Sequence, residues 1–433
     1  MVDPGLYVEE LQEVAVTTVP LADVGAFRTK LGAVPGFLEQ AKSNLTEAGG
    51  ELAKLAIRNL EKPDGVGHGQ PYRAVPPAGV RGWYSDLVER LQKHHPDLVS
   101  DARRTLAAVD DFHTWLKQNE GKMTSPSGVG LEHYNWYLEH VRLMPFTAAD
   151  CLLIGRRELH RSSAFLKFEQ NQNRAVARLD ASPTEEEYTR RKQDADRHVR
   201  TFLREQGILT IPDYVKELDT NVPWIVRPGG KRNFWEEVQY RDPRPDHVHA
   251  VIPGHRFDGL VKRHDTRPIR GTYQDSGRTE GWGFYLEEMM MQAGLLDDRP
   301  RTRELYYIFM IGRAVRNAAE VKLHTNEWTI ADAVKYMVDN TPFMDEDVAR
   351  VDAEMYLRRP AYGVSYQMGK IQIDQLVADR ALQLDDKFSL KEFHDQFLAA
   401  GTIPVSLIRW EMTGLDDEVK AFFPRRGGKP PTE

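Results

Sequence analysis

The stretch Asp246-His247-Val248-His249-Ala250-Val251-Ile252-Pro253-Gly254-His255-Arg256-Phe257 is followed further on by Thr279-Glu280-Gly281-Trp282-Gly283-Phe284-Tyr285-Leu286-Glu287-Glu288. Its reading decides the fold and points to the chemistry. His247, His249 and His255 crowd into one short segment, and Glu280 opens an apolar helical run. Imidazoles close in sequence, joined by a carboxylate from a later helix, form a plausible site for zinc or another borderline-soft divalent metal. In a zinc-hydrolase helix of the H-E-x-x-H type, the two histidines lie one turn apart and the glutamate after the first is the general base. Here His249 and His255 are two residues further apart, and Pro253-Gly254 breaks the helix between them. Such a break can absorb the extra residues and still turn both rings to one point.

Outward from this stretch, helical periodicity dominates. Residues 25–62 carry apolar positions in three- and four-residue steps, which predicts two helices split at Gly49-Gly50 with a break or kink near Pro35. The Gly/Pro-rich 62–80 reads as a loop, 82–118 as helical, and 121–130 as a second break. Thr147 is the expected N-cap of a helix over 148–168. Ser182-Pro183, followed by Glu185–Glu187, predicts a charged, surface-exposed helix to about Glu205. Residues 208–245 read as a small irregular or β insert of short extended stretches. Further helices are expected at about 280–293, 302–324, 329–339 (capped by Thr329), 345–357, 365–381 and 389–399, and a disordered tail over 424–433. The fold class is mainly α. We expect one large domain over 1–433 with a central cleft between two lobes, about 1–206 and 207–423.

The chain has 433 residues and a formal charge of −7, with no basic stripe, so nucleic acid is not an expected partner. Cys151 is the single cysteine, which excludes an internal disulfide framework. No signal-peptide pattern and no membrane-spanning apolar run is read, so a cytoplasmic protein with no membrane partner is the expectation. Oligomeric state is not legible.

Several motifs in register resemble domain-of-unknown-function family 885, a bacterial group of metallopeptidase-like, mostly helical proteins. They are His249 with Pro253-Gly254-His255, Glu280-Gly281-Trp282-Gly283-Phe284-Tyr285-Leu286-Glu287, Leu323-His324 with Trp328-Thr329, and Pro360 with Ser365-Tyr366-Gln367-Met368-Gly369. The resemblance implies a zincin-related helical fold with His249, His255 and Glu280 as metal ligands, and His324 and Tyr366 as further active-site residues. The departures are Ala250 for the family's glutamate, Arg256 for a histidine, Pro360-Ala361-Tyr362 for Pro-Gly-Gln, and Gln367 for the lysine after the tyrosine. A methyl group cannot take a proton from water, and general-base help is typically worth about two to four powers of ten in rate.

Other residues have competing readings. His247 would share the face of His249 on a strand but not on a helix; it is a candidate catalytic residue or a solvated histidine. Asp246 and Asp275 are weaker candidates for a replacement base, or caps. Arg313 and Arg316, three residues apart, can clamp a substrate carboxylate or pair with acids of the protein. Tyr273 and Gln367 complete the substrate-binding candidates. Trp282, Phe284, Tyr285 and Met289–Met291 read as core. The expectation is a metal-dependent enzyme acting on a small amino-acid- or peptide-like substrate, diverged from peptide hydrolysis toward a lyase, dehydratase or cyclase step, as in a biosynthetic pathway. A zinc peptidase or amidohydrolase with a substitute base, and a non-catalytic binding protein on the same scaffold, are the alternatives.

Overall fold

The helical periodicity is realised in a computed structural model that describes residues 3–66, 73, 75–218 and 222–423. The tail expected to be disordered, 424–433, lies outside the described residues. The first helices are α1 Gly5–Ala15, α2 Val24–Asn44, α3 Gly50–Glu61, α4 Gly79–His94, α5 Val99–Asn119 and α6 Leu131–His140. Then come α7 Ala148–Gln172, α8 Glu185–Glu205, α9 Phe234–Gln239, α10 Arg244–Asp246, α11 His255–Arg263, α12 Ser276–Gln292 and α13 Pro300–His324. The last are α14 Ile330–Asn340, α15 Glu346–Arg358, α16 Ser365–Leu384, α17 Leu390–Ala399, α18 Val405–Thr413 and α19 Asp417–Phe422. Thr147 and Thr329 cap α7 and α14 as expected, each in a reciprocal box with an aspartate three residues on.

Three of the expected local features are corrected. The break at Pro35 does not occur, and α2 runs through it. A proline inside a helix strands the carbonyl four residues earlier. That carbonyl, on Leu31, accepts instead from the Thr105 hydroxyl of α5 at 3.1 Å, so the neighbouring helix repairs the loss. The helix beginning near Ser182 is capped by Thr184, and it is not purely surface: Tyr188, Ala195, Val199 and Leu203 are buried along one face. The β insert over 208–245 contains no strand among the described residues. The only β-type contact there or elsewhere among them is an isolated bridge between Gly49 and Ser125. The prolines at 212, 223 and 228 remove ladder donors. Tyrosines serve the extended backbone instead: Tyr188 donates to the Val222 carbonyl at 2.9 Å, and Tyr240 donates to that of Pro223 at 2.9 Å while accepting from the Ile225 N–H at 2.8 Å.

The hydrophobic cores divide the chain elsewhere than at residue 206. One core joins α1–α5, with Leu11, Leu31, Trp83, Tyr84 and Phe112 at its centre, and ends at Met123. Leu159 and Leu166 of α7 and Val199 and Leu203 of α8 belong to the second core, built on α12, α13 and α16. α13 is the axis of that core. Residues 305–311 are buried without interruption, so this helix is covered on every side. α12 lies along α16, and the two backbones meet at glycines. A β-carbon on Gly281 would lie 2.5 Å from the Gly369 carbonyl carbon. Gly281→Ala should therefore destabilise the fold by about 1–3 kcal/mol through overpacking, and Gly281→Val by more. Urea unfolding monitored by far-UV circular dichroism measures this.

Candidate metal centre

The chain enters the site through α10 and then a wide turn over His247–Val251, where the N–H of Ile252 reaches back five residues to the His247 carbonyl at 3.0 Å. This π-type turn holds the extra residues between the histidines. Gly254 then packs so tightly on the turn that a β-carbon there would lie 1.7 Å from the His249 carbonyl oxygen, which excludes every side chain. His255 opens α11 immediately after. α12 clamps the turn from above: the Trp282 indole donates to the Pro253 carbonyl at 3.0 Å. Gly283 leaves room for the imidazole of His249, whose ring atoms would be within 2.9 Å of a β-carbon. Each member of Glu280-Gly281-Trp282-Gly283 thus has a separate physical task, and Trp282 is also fully buried, as expected of a core residue.

Ligand-type atoms of His249, His255 and Glu280 all lie within 4.8 Å of one another. Glu280 Oε2 is 3.1 Å from His255 Nε2 and 3.4 Å from His249 Nε2. The imidazoles stand nearly perpendicular, 86° apart, with centroids 4.6 Å apart. Around a tetrahedral ion with bonds of about 2.0–2.1 Å, neighbouring donor atoms are about 3.3 Å apart, which matches the spacing of Glu280 from each histidine. His249 and Glu280 are buried, while the His255 side chain is 31% exposed and gives the cluster its access to solvent. Burial opposes charge on Glu280, yet His255 and His249 hold its carboxyl well below the usual range. For His249 burial and Arg313 pull its pKa down, but Glu280 and Glu287 outweigh them and raise it.

Three residues around the cluster carry roles the sequence reading did not assign. Glu287 Oε1 lies 2.6 Å from His249 Nδ1, off the line of a true hydrogen bond. A carboxylate on the far nitrogen of a ligating histidine fixes the ring and leaves Nε2 to the metal. Glu287 falls two turns after Glu280 on the same helix, a spacing that could have revealed it. The Tyr362 hydroxyl donates to Glu280 Oε1 at 2.6 Å. Glu320 anchors the loop that carries Tyr362, with the Ala361 N–H donating to its Oε1 at 2.5 Å.

The remaining candidates divide sharply. Tyr366 belongs beside the site: its ring stacks on His249 with centroids 6.0 Å apart. Arg313 and Arg316 cover that ring at 5.3 and 4.5 Å. Both arginines are buried in ion pairs, Arg313 with Glu287 at 2.9 Å and Arg316 with Asp352 at 3.0 Å, so the substrate-clamp reading is replaced by an internal one. Gln367 is 1% exposed, its side-chain carbonyl without a partner. His247 is corrected to a structural role. The helical turn points it away from the face of His249, and its Nε2 meets Asp196 of α8 at 3.0 Å. His324 is corrected likewise. Its Nε2 donates to the Tyr356 carbonyl at 3.0 Å and its ring stacks on Tyr134, 5.1 Å between centroids. Burial pushes its pKa down to about 4, so it is a neutral core residue and not the helix-end imidazolium. Tyr273 is 40% exposed, and its backbone carbonyl accepts from the Thr402 hydroxyl. Asp275 is a cap, accepting from the Arg278 N–H at 2.9 Å. Asp246 is buried and bonded by the Gln239 amide. Ala250 is 5% exposed and packs in the second core.

The protein is mainly helical, with a His-His-Glu cluster that is open to solvent at His255. Residues 247–412 match the model of the family described as "Bacterial protein of unknown function (DUF885)", the family its motifs resemble. No curated protein matches the chain. The fold is similar to that of a chain from Shewanella oneidensis described as "a putative lipoprotein of unknown function". Identity is 16% and the TM-score 0.71, with 95% of this chain and 83% of that one covered. A second similar structure is "the putative lipoprotein from Colwellia psychrerythraea", at 16% identity and TM-score 0.68, covering 92% and 77%. Among the described residues no helix is long and apolar enough to cross a membrane.

The burial of His324 has a measurable sign. A histidine with a depressed folded pKa stabilises fully above its unfolded value, near 6.5, and loses that contribution as pH falls toward about 4. The effect amounts to about 3 kcal/mol. His324→Gln should therefore flatten the loss of stability between pH 6.5 and 4, which denaturant unfolding at a series of pH values measures.

Proposed function

We propose that the protein is a metal-dependent enzyme, zinc being the best-fitting ion, held by His249, His255 and Glu280. The observation that carries this reading is the convergence of two imidazole nitrogens and one carboxylate oxygen within 4.8 Å of one another, with Glu287 behind the inner histidine. The chemistry such an ion supplies when bound is Lewis-acid polarisation of a carbonyl, carboxylate or hydroxyl. The protein's own residues orient and exclude water. Glu287 and Arg313 fix His249, Tyr362 holds Glu280, and Tyr366 with the buried arginines walls the inner side. A small amino-acid- or peptide-like substrate would reach the cluster past the exposed edge of His255.

With Ala250 where a glutamate would act as base, and with Asp246 and Asp275 engaged elsewhere, hydrolysis is the less favoured reaction. We therefore favour a lyase, dehydratase or cyclase step in a biosynthetic role. A cytoplasmic location remains the reading of the sequence; recovery in the membrane fraction of its native host would instead align it with the neighbours described as lipoproteins.

Metal analysis tests the core of this reading. Purified protein should carry close to one equivalent of zinc, and the double variant His249→Ala/His255→Ala almost none. Added zinc should raise the melting temperature of the first only, by the equivalent of about 2.7 kcal/mol at a hundred times Kd. Equal, negligible zinc in both proteins sinks the proposal.

A further inference from the structure

We infer that Glu320 is a positioning residue of the metal centre, acting through the loop 360–364 to hold Tyr362 on Glu280; this rests on the metal-binding reading above. Glu320 lies on α13 and is fully buried. Its carboxylate gathers four neutral donors: the Tyr134 hydroxyl at 2.5 Å and the N–H groups of Ala361 at 2.5 Å, Gly363, and Val364 at 3.1 Å. Successive backbone N–H groups turned onto one anion form a nest, and a nest fixes the path of its loop. Burial pushes the Glu320 carboxyl up to about 7, and the four donors pull against it.

The loop is held in a form that it would not adopt unaided. Ala361 has φ +64, a left-handed conformation costing an alanine about 1 kcal/mol or more. A β-carbon on Gly363 would lie 2.7 Å from Glu320 Oε2 and 3.1 Å from the Tyr356 ring. Strain of this kind persists where the surroundings over-determine the backbone, and its consequence is the placement of the residue between them. Tyr362 takes Glu280 Oε1 at 2.6 Å and leaves Oε2 facing both histidines. The carboxylate is thereby turned so that a single oxygen, Oε2, faces the two histidines and would be the one offered to a metal. A buried carboxylate with no cation among these partners is costly to keep; its function is to order this loop.

Zinc affinity at pH 8, measured by competition with a chromophoric chelator, tests the link in wild type, Tyr362→Phe, Glu320→Gln and the double variant. Each single change should weaken Kd about 10–100-fold. The double should weaken it no further than the worse single, because both act through one contact. The visible spectrum of the Co2+-loaded protein should shift in the same way in both single variants. Gly363→Ala, which displaces the loop and keeps the carboxylate, should reproduce the loss and replaces Glu320→Gln if that variant does not fold. Wild-type affinity in Glu320→Gln or Gly363→Ala, or losses that multiply in the double, overturns the inference and leaves the metal site standing. A wild-type protein that binds no zinc overturns both.

Discussion

Where α12 crosses α16, Gly281 and Gly369 bring two helix backbones into direct contact, and the site depends on that closeness. It sets Glu280 at the depth of the histidines and puts Gly283 against the ring of His249. It also brings Trp282 over the Pro253 carbonyl. α16 begins at Ser365, so the same crossing delivers Tyr366 to the far face of His249 and, just before it, Tyr362 to Glu280. A side chain at the crossing would separate all of these at once, because packed backbones have no flexible group to yield.

Around that contact the charges are arranged in series. Glu280 faces the two histidines, Glu287 stands behind His249, and Arg313 answers Glu287. Burying so many ionisable groups is tolerable only when each has a partner, since an isolated buried charge costs several kcal/mol. The arrangement is therefore all-or-none, and it explains why the arginines of α13 are committed to the protein itself. The hole at Ala250 is closed by packing instead of by another acid.

Much of the helical layout and the pair of histidines with Glu280 was legible, because periodicity, caps and motif order are local properties. Thr147 and Thr329 cap where their sequences say they should. The misreadings share one cause. Pro35 was read as a break because the Thr105 hydroxyl that rescues Leu31 comes from α5, distant in sequence. For the 208–245 segment the irregular and β alternatives stay open in the sequence, because extended backbone looks alike whether it pairs with a strand or with tyrosine hydroxyls. His324 and His247 were read as site residues because a motif does not say which neighbours bury them.

The sequence by itself determined the helix-forming segments and singled out His249, His255 and Glu280, since each depends on residue type and spacing along one stretch. Only the tertiary structure decided which of the remaining polar residues serve the cluster. Glu287, Tyr362 and Glu320 act across contacts between helices, and Arg313 and Arg316 are claimed by acids on neighbouring ones. The physical reason is that hydrogen bonds and ion pairs require distances of about 3 Å. Among residues far apart in the chain, those distances exist only once the helices have packed.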